Sequence, residues 1–479
     1  MNHRMIVHTV GYVLCAMAVL MLIPLCIALY LGESSLAFVV PMLISAAMGG
    51  GCLLVRTPNK ALFARDGFAI VSLSWLLVSL CGALPFVVGG SIPSFVDAFF
   101  ESVSGFTTTG ASILTDLDVM PRSVLFWRSF SHWIGGMGVL VFIMAVMPLA
   151  NERSMHVMRA ECPGPSVGKV VPRARMAALY MYGIYLGLTV LEVVLLKAGG
   201  MPLFDSLLNS FGTAGTGGFS IHNAGFALYD SVYCETVITV FMLLFGINFN
   251  VYFFMLIRSF RQAFHMEEVW TYLGLAGGSM LLITLNTLST YGSFGQALRY
   301  SSFQVASIMT STGFATADFN LWPAFSKMIL FILMFIGACG GSTGGGFKVS
   351  RVLILLKRVR ADMMQMLHPR AVRTVRMDGR KLEDTTVHAT TLFFVVYAFL
   401  ALISALLLSL DGCNFETAMS ASVSALSNIG PGFGAVGPMA NYAFLAIPSK
   451  LLLSFLMLLG RLEIFPLLLM LTPSMYRRH

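Results

Sequence analysis

The sequence predicts an all-α polytopic membrane protein: two extra N-terminal helices, then four helix–pore-loop–helix repeats around one pseudo-fourfold axis. Three observations lead there. Of 479 residues, 57% are hydrophobic and only 11% charged, against about 25% charged in a soluble domain. Apolar runs of about 18 residues or more recur along the chain, each long enough to cross a hydrocarbon core of about 30 Å as a helix. Between them, four short segments repeat in the same place within a helix, segment, helix pattern.

The two opening helices are expected at about Val7–Leu31 and Leu36–Val55. Nothing like a small-residue cleavage site follows the first, so it reads as a retained span rather than a signal peptide. The chain then divides as residues 1–60 for the opening pair, 61–157 and 158–264 for the first two repeats, 265–378 for the third and 379–479 for the fourth. Basic residues gather in Arg56 to Arg65, Arg153 to Arg175, Arg258 to Arg261, Lys357 to Lys381 and Arg477-Arg478. Those segments belong on the cytoplasmic side, which puts both termini there. The alternate segments carry Asp97, Glu101, Asp116, Asp118, Asp205, Asp230, Asp318, Asp411 and Glu416. They should face outward and concentrate cations. The formal net charge of +8 follows from the loop charges and gives no reason to invoke nucleic acid. The eight cysteines show no CxxC or Cys/His ligand spacing, so neither a metal site nor a disulfide framework is indicated.

The four short segments read FVDAFFESVSGFTTTGAS, LFDSLLNSFGTAGTGGFS, ALRYSSFQVASIMTSTGFA and NFETAMSASVSALSNIGPG. Each is an amphipathic stretch running into a small-residue turn, too short to cross the bilayer and too apolar for a free loop. Irregular backbone at membrane depth is tolerated only where protein buries it or water lines it, so the four turns should converge on one central pore. Aligned on one glycine, they are Thr109-Gly110-Ala111, Thr216-Gly217-Gly218, Thr312-Gly313-Phe314 and Ile429-Gly430-Pro431, flanked by Thr108 and Asn428. Glycine permits the positive φ that turns successive carbonyls inward, and a ring of carbonyls can replace the hydration shell of a potassium ion. The short helices would point their C-terminal ends, each with a partial negative charge of roughly half an electron, at the same place.

These residues resemble the TrkH/KtrB potassium transporters, within the superfamily that includes plant HKT proteins and the Kdp channel-like subunit. The resemblance spans nearly the whole chain: four loops, the paired opening helices of the TrkH-type branch, a glycine-rich break near Gly340 and an arginine at Arg461. It implies the potassium-translocating subunit of a bacterial uptake system, in the inner (cytoplasmic) membrane, with filter glycines Gly110, Gly217, Gly313 and Gly430. Potassium is then the bound and transported ion, and no organic cofactor is expected in this chain. The resemblance also implies a homodimer and a cytoplasmic ring of TrkA-type nucleotide-binding regulatory subunits.

Two further features sit at membrane depth. The run from Phe325 to Arg360, as one helix rising about 1.5 Å per residue, would exceed 50 Å. Its middle, GACGGSTGGGFK from Gly337 to Lys348, holds six glycines and should unwind. The resemblance makes Gly340, Gly341, Ser342, Thr343, Gly344, Gly345 and Gly346 an intramembrane gate loop; a glycine cluster for close helix packing is the alternative. Arg461 lies mid-span, where an ionisable side chain is costly and functional by default. It either projects into the permeation path or pairs with a buried acid, and Glu463, two residues away, is poorly placed for that on a helix. Lys348 is a weaker analogue whose long stem could snorkel.

Other classes find little support. Gly432 to Gly437 fits GxGxxG but follows a half-helix rather than a strand, and no HExxH or strand-borne GxSxG occurs. An ion-coupled secondary transporter, moving potassium with protons or sodium, remains the alternative to a gated conductor. Four units of the same orientation, each with its own loop, argue against inverted repeats.

Overall fold

The computed structural model describes residues 1–58, 63–138, 174–370 and 373–473. The basic segment from Arg153 to Arg173, the terminal Arg477-Arg478 and the repeat boundary at 157/158 lie outside the described residues. The elements are α1 (His3–Leu20), α2 (Leu22–Leu31), α3 (Leu36–Leu53), α4 (Ala64–Val88), α5 (Phe95–Phe106), α6 (Arg122–Gly136), α7 (Ala174–Ala198), α8 (Leu203–Gly215), α9 (Val232–Phe245), α10 (Phe249–Leu256) and α11 (Phe260–Phe264). There follow α12 (Glu267–Tyr291), α13 (Phe294–Met309), α14 (Ala324–Ile336), α15 (Val349–Leu367), α16 (Asp384–Ser409), α17 (Phe415–Ser427), α18 (Ile447–Arg461) and α19 (Phe465–Met470). The only strands among the described residues are Arg376–Met377 and Arg380–Lys381, a two-stranded antiparallel hairpin.

The first span begins at His3 rather than Val7 and is interrupted at Met21. Pro24 explains the break, because its ring crowds the carbonyl four residues back, that of Leu20. Asp66, fully buried at the start of α4, accepts the backbone N–H of Asn2 at 2.9 Å and so ties the entry of α1 to α4. Alpha-helices α1 and α3 meet at small residues: a Cβ on Gly49 would lie 2.9 Å from the backbone nitrogen of Cys15. Close backbone approach of this kind favours helix association in lipid, where apolar burial supplies little drive.

Six helical stretches of the described residues are long and apolar enough to span a membrane, α1–α2 counting as one. The four half-helices α5, α8, α13 and α17 are not among them, being 12, 13, 16 and 13 residues long. Each is nonetheless deeply packed at its C-terminal half. Their outer ends are capped or charged for entry: Ser94 and Asn414 accept from backbone N–H groups of the first turns, and Asp97, Asp205 and Glu416 sit in those turns, where the positive end of the helix dipole favours them.

The second helix of the second repeat holds a feature with weak sequence signal. Helices α9 and α10 are one apolar run bent by 88° at Gly246 to Asn248. Asn248 caps the new helix by accepting from Asn250 N–H at 3.0 Å. In the third repeat the helix ends at Gly337 (φ +74°, ψ −160°), a backbone state only glycine adopts readily, and restarts at Val349.

Candidate functional site: a four-loop ring above a broken helix

Each half-helix terminates through the same backbone sequence. Thr108, Thr216, Ser311 and Asn428 take left-handed φ of 56°, 56°, 58° and 54°, and two residues later come Gly110, Gly218, Gly313 and Gly430 with φ of 80°, 63°, 83° and 100°. A left-handed non-glycine residue is uncommon and costs roughly 1 kcal/mol or more. Four at equivalent places mean that the surroundings impose one turn geometry on all four loops.

That geometry corrects the register expected for the second loop. The glycine equivalent to Gly110, Gly313 and Gly430 is Gly218; Gly217 corresponds to Thr109, Thr312 and Ile429. The hydrogen bonds agree, since Thr109, Gly217, Thr312 and Ile429 N–H donate to Ser104, Gly212, Ser307 and Ser424 carbonyls at 2.9, 2.9, 2.8 and 3.0 Å. Sequence alone offers two adjacent glycines with no means of choosing between them. Ser311, equivalent to Thr108, also belongs to the turn and was missed.

The loops close on one another in a ring. A Cβ on Gly110 would run into the carbonyl oxygen of Gly217, one on Gly218 into that of Thr312, one on Gly313 into that of Ile429, and one on Gly430 would meet that of Thr109. Each glycine therefore seats the carbonyl of the next loop, and the fourth returns to the first. Hydroxyls brace the ring from behind: Thr107 with Thr109 at 2.8 Å, Thr310 with Thr312 at 2.7 Å, and Asn428 Nδ2 donating to Thr109 Oγ1 at 3.0 Å.

Not every carboxylate that the sequence assigns to the outward segments is free to attract a cation. Glu101 is fully buried and bonded by Arg128 Nε at 2.8 Å, Ser112 Oγ at 3.0 Å and Ile113 N–H at 3.0 Å. Arg128, which carried no role in the sequence reading, continues to the Ser220 carbonyl at 3.0 Å and so joins the segments just outside the first two loops. Asp97 is engaged by Lys450 at 2.7 Å. Asp116 and Asp118 remain exposed.

Directly inward of the ring lies the break between α14 and α15. Gly345 N–H donates to Ser311 Oγ at 2.5 Å, a Cβ on Gly345 would collide with the Ser427 carbonyl, and one on Gly344 would lie 2.8 Å from that of Thr310. Gly344 and Gly345 thus pack against the inner ends of the third and fourth loops. Gly340, Gly341, Ser342 and Thr343 hang from the second repeat instead. Cys339 N–H donates to the Gly246 carbonyl at 3.1 Å, Phe249 N–H to that of Gly341 at 3.0 Å, and Thr343 Oγ1 to that of Phe245 at 3.2 Å. The bend in α9–α10 is the seat for this segment. Glu268 of α12 accepts from Gly340 N–H at 2.6 Å and Ser350 N–H at 3.1 Å, clasping both sides of the break.

Lys348 does not snorkel. It is 2% exposed, and its ammonium donates to the Gly344 carbonyl within the same loop, which keeps the charge on the loop rather than at the membrane surface. Arg461 donates to the Thr343 carbonyl at 3.0 Å and to the carbonyls of Gly135 and Gly136, the latter at 2.8 Å. It therefore joins the glycine segment to the C-terminal end of α6, whose dipole favours a cation. Glu463 is paired with Arg351. Both Glu463 and Ile464 have positive φ where α18 ends, which turns the Glu463 side chain toward α15.

The chain matches the family model described as TrkH, cation transport protein, over residues 34–277 and 279–476. The Trk system potassium uptake protein TrkH of Escherichia coli strain K12 is 36% identical over 487 residues, spanning 100% of both chains. The Trk system potassium uptake protein TrkG of the same organism is 31% identical over 481 residues and 99% of each chain. The crystal structure of the potassium transporter TrkH from Vibrio parahaemolyticus superimposes with a TM-score of 0.89 at 35% identity, covering 100% of both chains. Four half-helices closing on one backbone ring, together with these full-length matches, make this chain a member of the TrkH family of cation transport proteins.

Proposed function

We propose that the chain is the potassium-translocating membrane subunit of a Trk-type potassium uptake system. The closed glycine–carbonyl ring of Gly110, Gly218, Gly313 and Gly430 carries this reading. Carbonyls of Thr109, Gly217, Thr312 and Ile429 replace water around a dehydrated potassium ion, and the half-helix C-termini supply the negative potential that makes its entry favourable. The residues from Gly340 to Gly346 obstruct the path below, with Lys348 and Arg461 adding positive charge that opposes dwelling of a cation there. The relatives are named as parts of a Trk system, which supports a regulatory partner. TrkA-type nucleotide-binding subunits docking on the basic stretch from Lys357 to Lys381, a homodimeric membrane subunit, cytoplasmic termini and a bacterial inner-membrane location complete the proposal, as does the division into four repeats.

Flux through the purified chain in liposomes tests it, with ion gradients imposed one at a time. Potassium should move down its own gradient alone. A strict requirement for a proton or sodium gradient would replace the conducting pore with coupled transport.

A further inference from the structure

The second loop is the odd member of the ring, because Gly217 stands where the other loops carry Thr109, Thr312 and Ile429. Its φ is not in the left-handed region, so its backbone does not call for glycine. What excludes a side chain is the imidazole of His132: a Cβ on Gly217 would meet its Nδ1, Cγ and Cε1 atoms. His132 lies on α6 and is fully buried. Its Nδ1 is 2.8 Å from the Gly105 carbonyl at the inner end of the first half-helix, and its Nε2 is 3.3 Å from the backbone nitrogen of Phe219, the residue after Gly218. A carbonyl only accepts and an N–H only donates, so Nδ1 carries the proton and Nε2 is the acceptor. The ring also packs on Phe219, with centroids 4.2 Å apart.

We infer that His132 is a positioning residue for ion selectivity, a side chain supplied by the first repeat in place of the one that Gly217 lacks. In the first and third loops the hydroxyls of Thr109 and Thr312 bond back to Thr107 and Thr310 of their own loops. In the second loop that brace comes from another repeat. It holds the end of one half-helix and the backbone just outside Gly218 at a fixed separation, and so fixes the Gly217 carbonyl against Gly110. This inference rests on the filter reading.

The test is a double-mutant cycle on the full chain in liposomes, read as the potassium-to-sodium permeability ratio from reversal potentials. Gly217→Ala alone should lower the ratio about tenfold, whereas in a His132→Ala background the same change should cost nothing further, because the space is then vacant. His132→Leu keeps the bulk but strands a buried donor and an acceptor, and should lower the ratio about tenfold in a protein that stays folded and monodisperse, with a lowered melting temperature. His132→Gln restores one donor and one acceptor and should return the ratio to within about twofold of the parent. Should His132→Ala fail to fold, His132→Ser takes its place in the cycle, since it has no atom at the Nδ1 and Cε1 positions and its single γ-atom can rotate away from Gly217. Equal penalties for Gly217→Ala in both backgrounds, or parental selectivity in His132→Leu, would overturn the inference. Gly218→Ala separates the two levels: it must lose selectivity on the filter reading whatever His132 does.

Discussion

The ring and the broken helix beneath it adjoin one another yet are held in different ways. In the ring, neutral backbone does almost everything: glycine Cα against carbonyl oxygen, four times over, with four left-handed residues of nearly equal φ. Each contact is repeated by its neighbour, so no loop can relax without displacing the next. The segment from Gly340 to Gly346 is held to the second, third and fourth repeats by scattered hydrogen bonds and by the packing of Gly344 and Gly345, and charged groups anchor it: Glu268, Lys348 and Arg461. A closed set of packing contacts is rigid and suits discrimination by cavity geometry and ligand field. A segment hung from a few charge-assisted bonds has alternatives of similar energy once any partner moves, which suits an obstruction that opens.

Substitution in the ring should therefore have the largest effect. Gly218→Ala forces a β-carbon into the Thr312 carbonyl at a left-handed φ, and potassium selectivity should collapse in reversal-potential measurements. Gly110→Ser should do the same against the Gly217 carbonyl. An unchanged permeability ratio in a folded Gly218→Ala protein would return the register to Gly217 and break the ring.

Next in size is Arg461→Ala. It holds the carbonyls of Thr343, Gly135 and Gly136 and lies 5.9 Å from the Trp75 ring; its loss releases Thr343 and removes positive charge below the ring. Unitary flux should rise several-fold in a protein that still folds, with only a modest loss of melting temperature from the freed carbonyls. A destabilisation of about 3 to 5 kcal/mol with unaltered flux would instead identify a buried ion pair as its main role. Deleting Gly344 to Gly346 should raise basal flux without the regulatory partner, by a smaller factor, because Arg461 keeps its partner Thr343. Flux that falls in a stable protein would make this segment a packing element.

The smallest effects are expected at the charges farther inward. Arg351–Glu463 is mostly shielded, with side chains 8% and 20% exposed, and Arg351→Met should cost about 2 kcal/mol of stability, less than a fully buried pair. Lys357–Glu267 is more open, at 33% and 41%, and Lys357→Ala should cost about 1 kcal/mol or less, diminishing with salt. Comparing the two variants by thermal unfolding at low and high salt sharpens the contrast between shielded and open pairs.

Much of this arrangement was legible from the chain. The half-helices were recognisable because a segment of 12 to 16 residues ending in small residues fits neither a span nor a soluble loop. The interruption between Phe325 and Arg360 was legible from length alone. His132, Arg128, Glu268 and Asn248 were not, since a polar residue in an apolar run has no address until its partners are known. Arg128 and Glu101 stand 27 positions apart and Glu268 and Gly340 stand 72 apart, distances over which no periodicity carries information. The bend at Gly246 to Asn248 had only a glycine and a potential cap to mark it.

Hydrophobic run length, charge alternation and the fourfold recurrence of a glycine turn determine the membrane class and the repeat plan, because the bilayer itself imposes those constraints on any chain. Which glycine of the Gly217-Gly218 pair enters the ring is a different kind of question. Two adjacent glycines are chemically identical along the chain, and they differ only in what faces them: the His132 imidazole for Gly217 and the Thr312 carbonyl for Gly218. Steric contact between repeats more than 80 residues apart made that choice, and only the folded chain brings those atoms together.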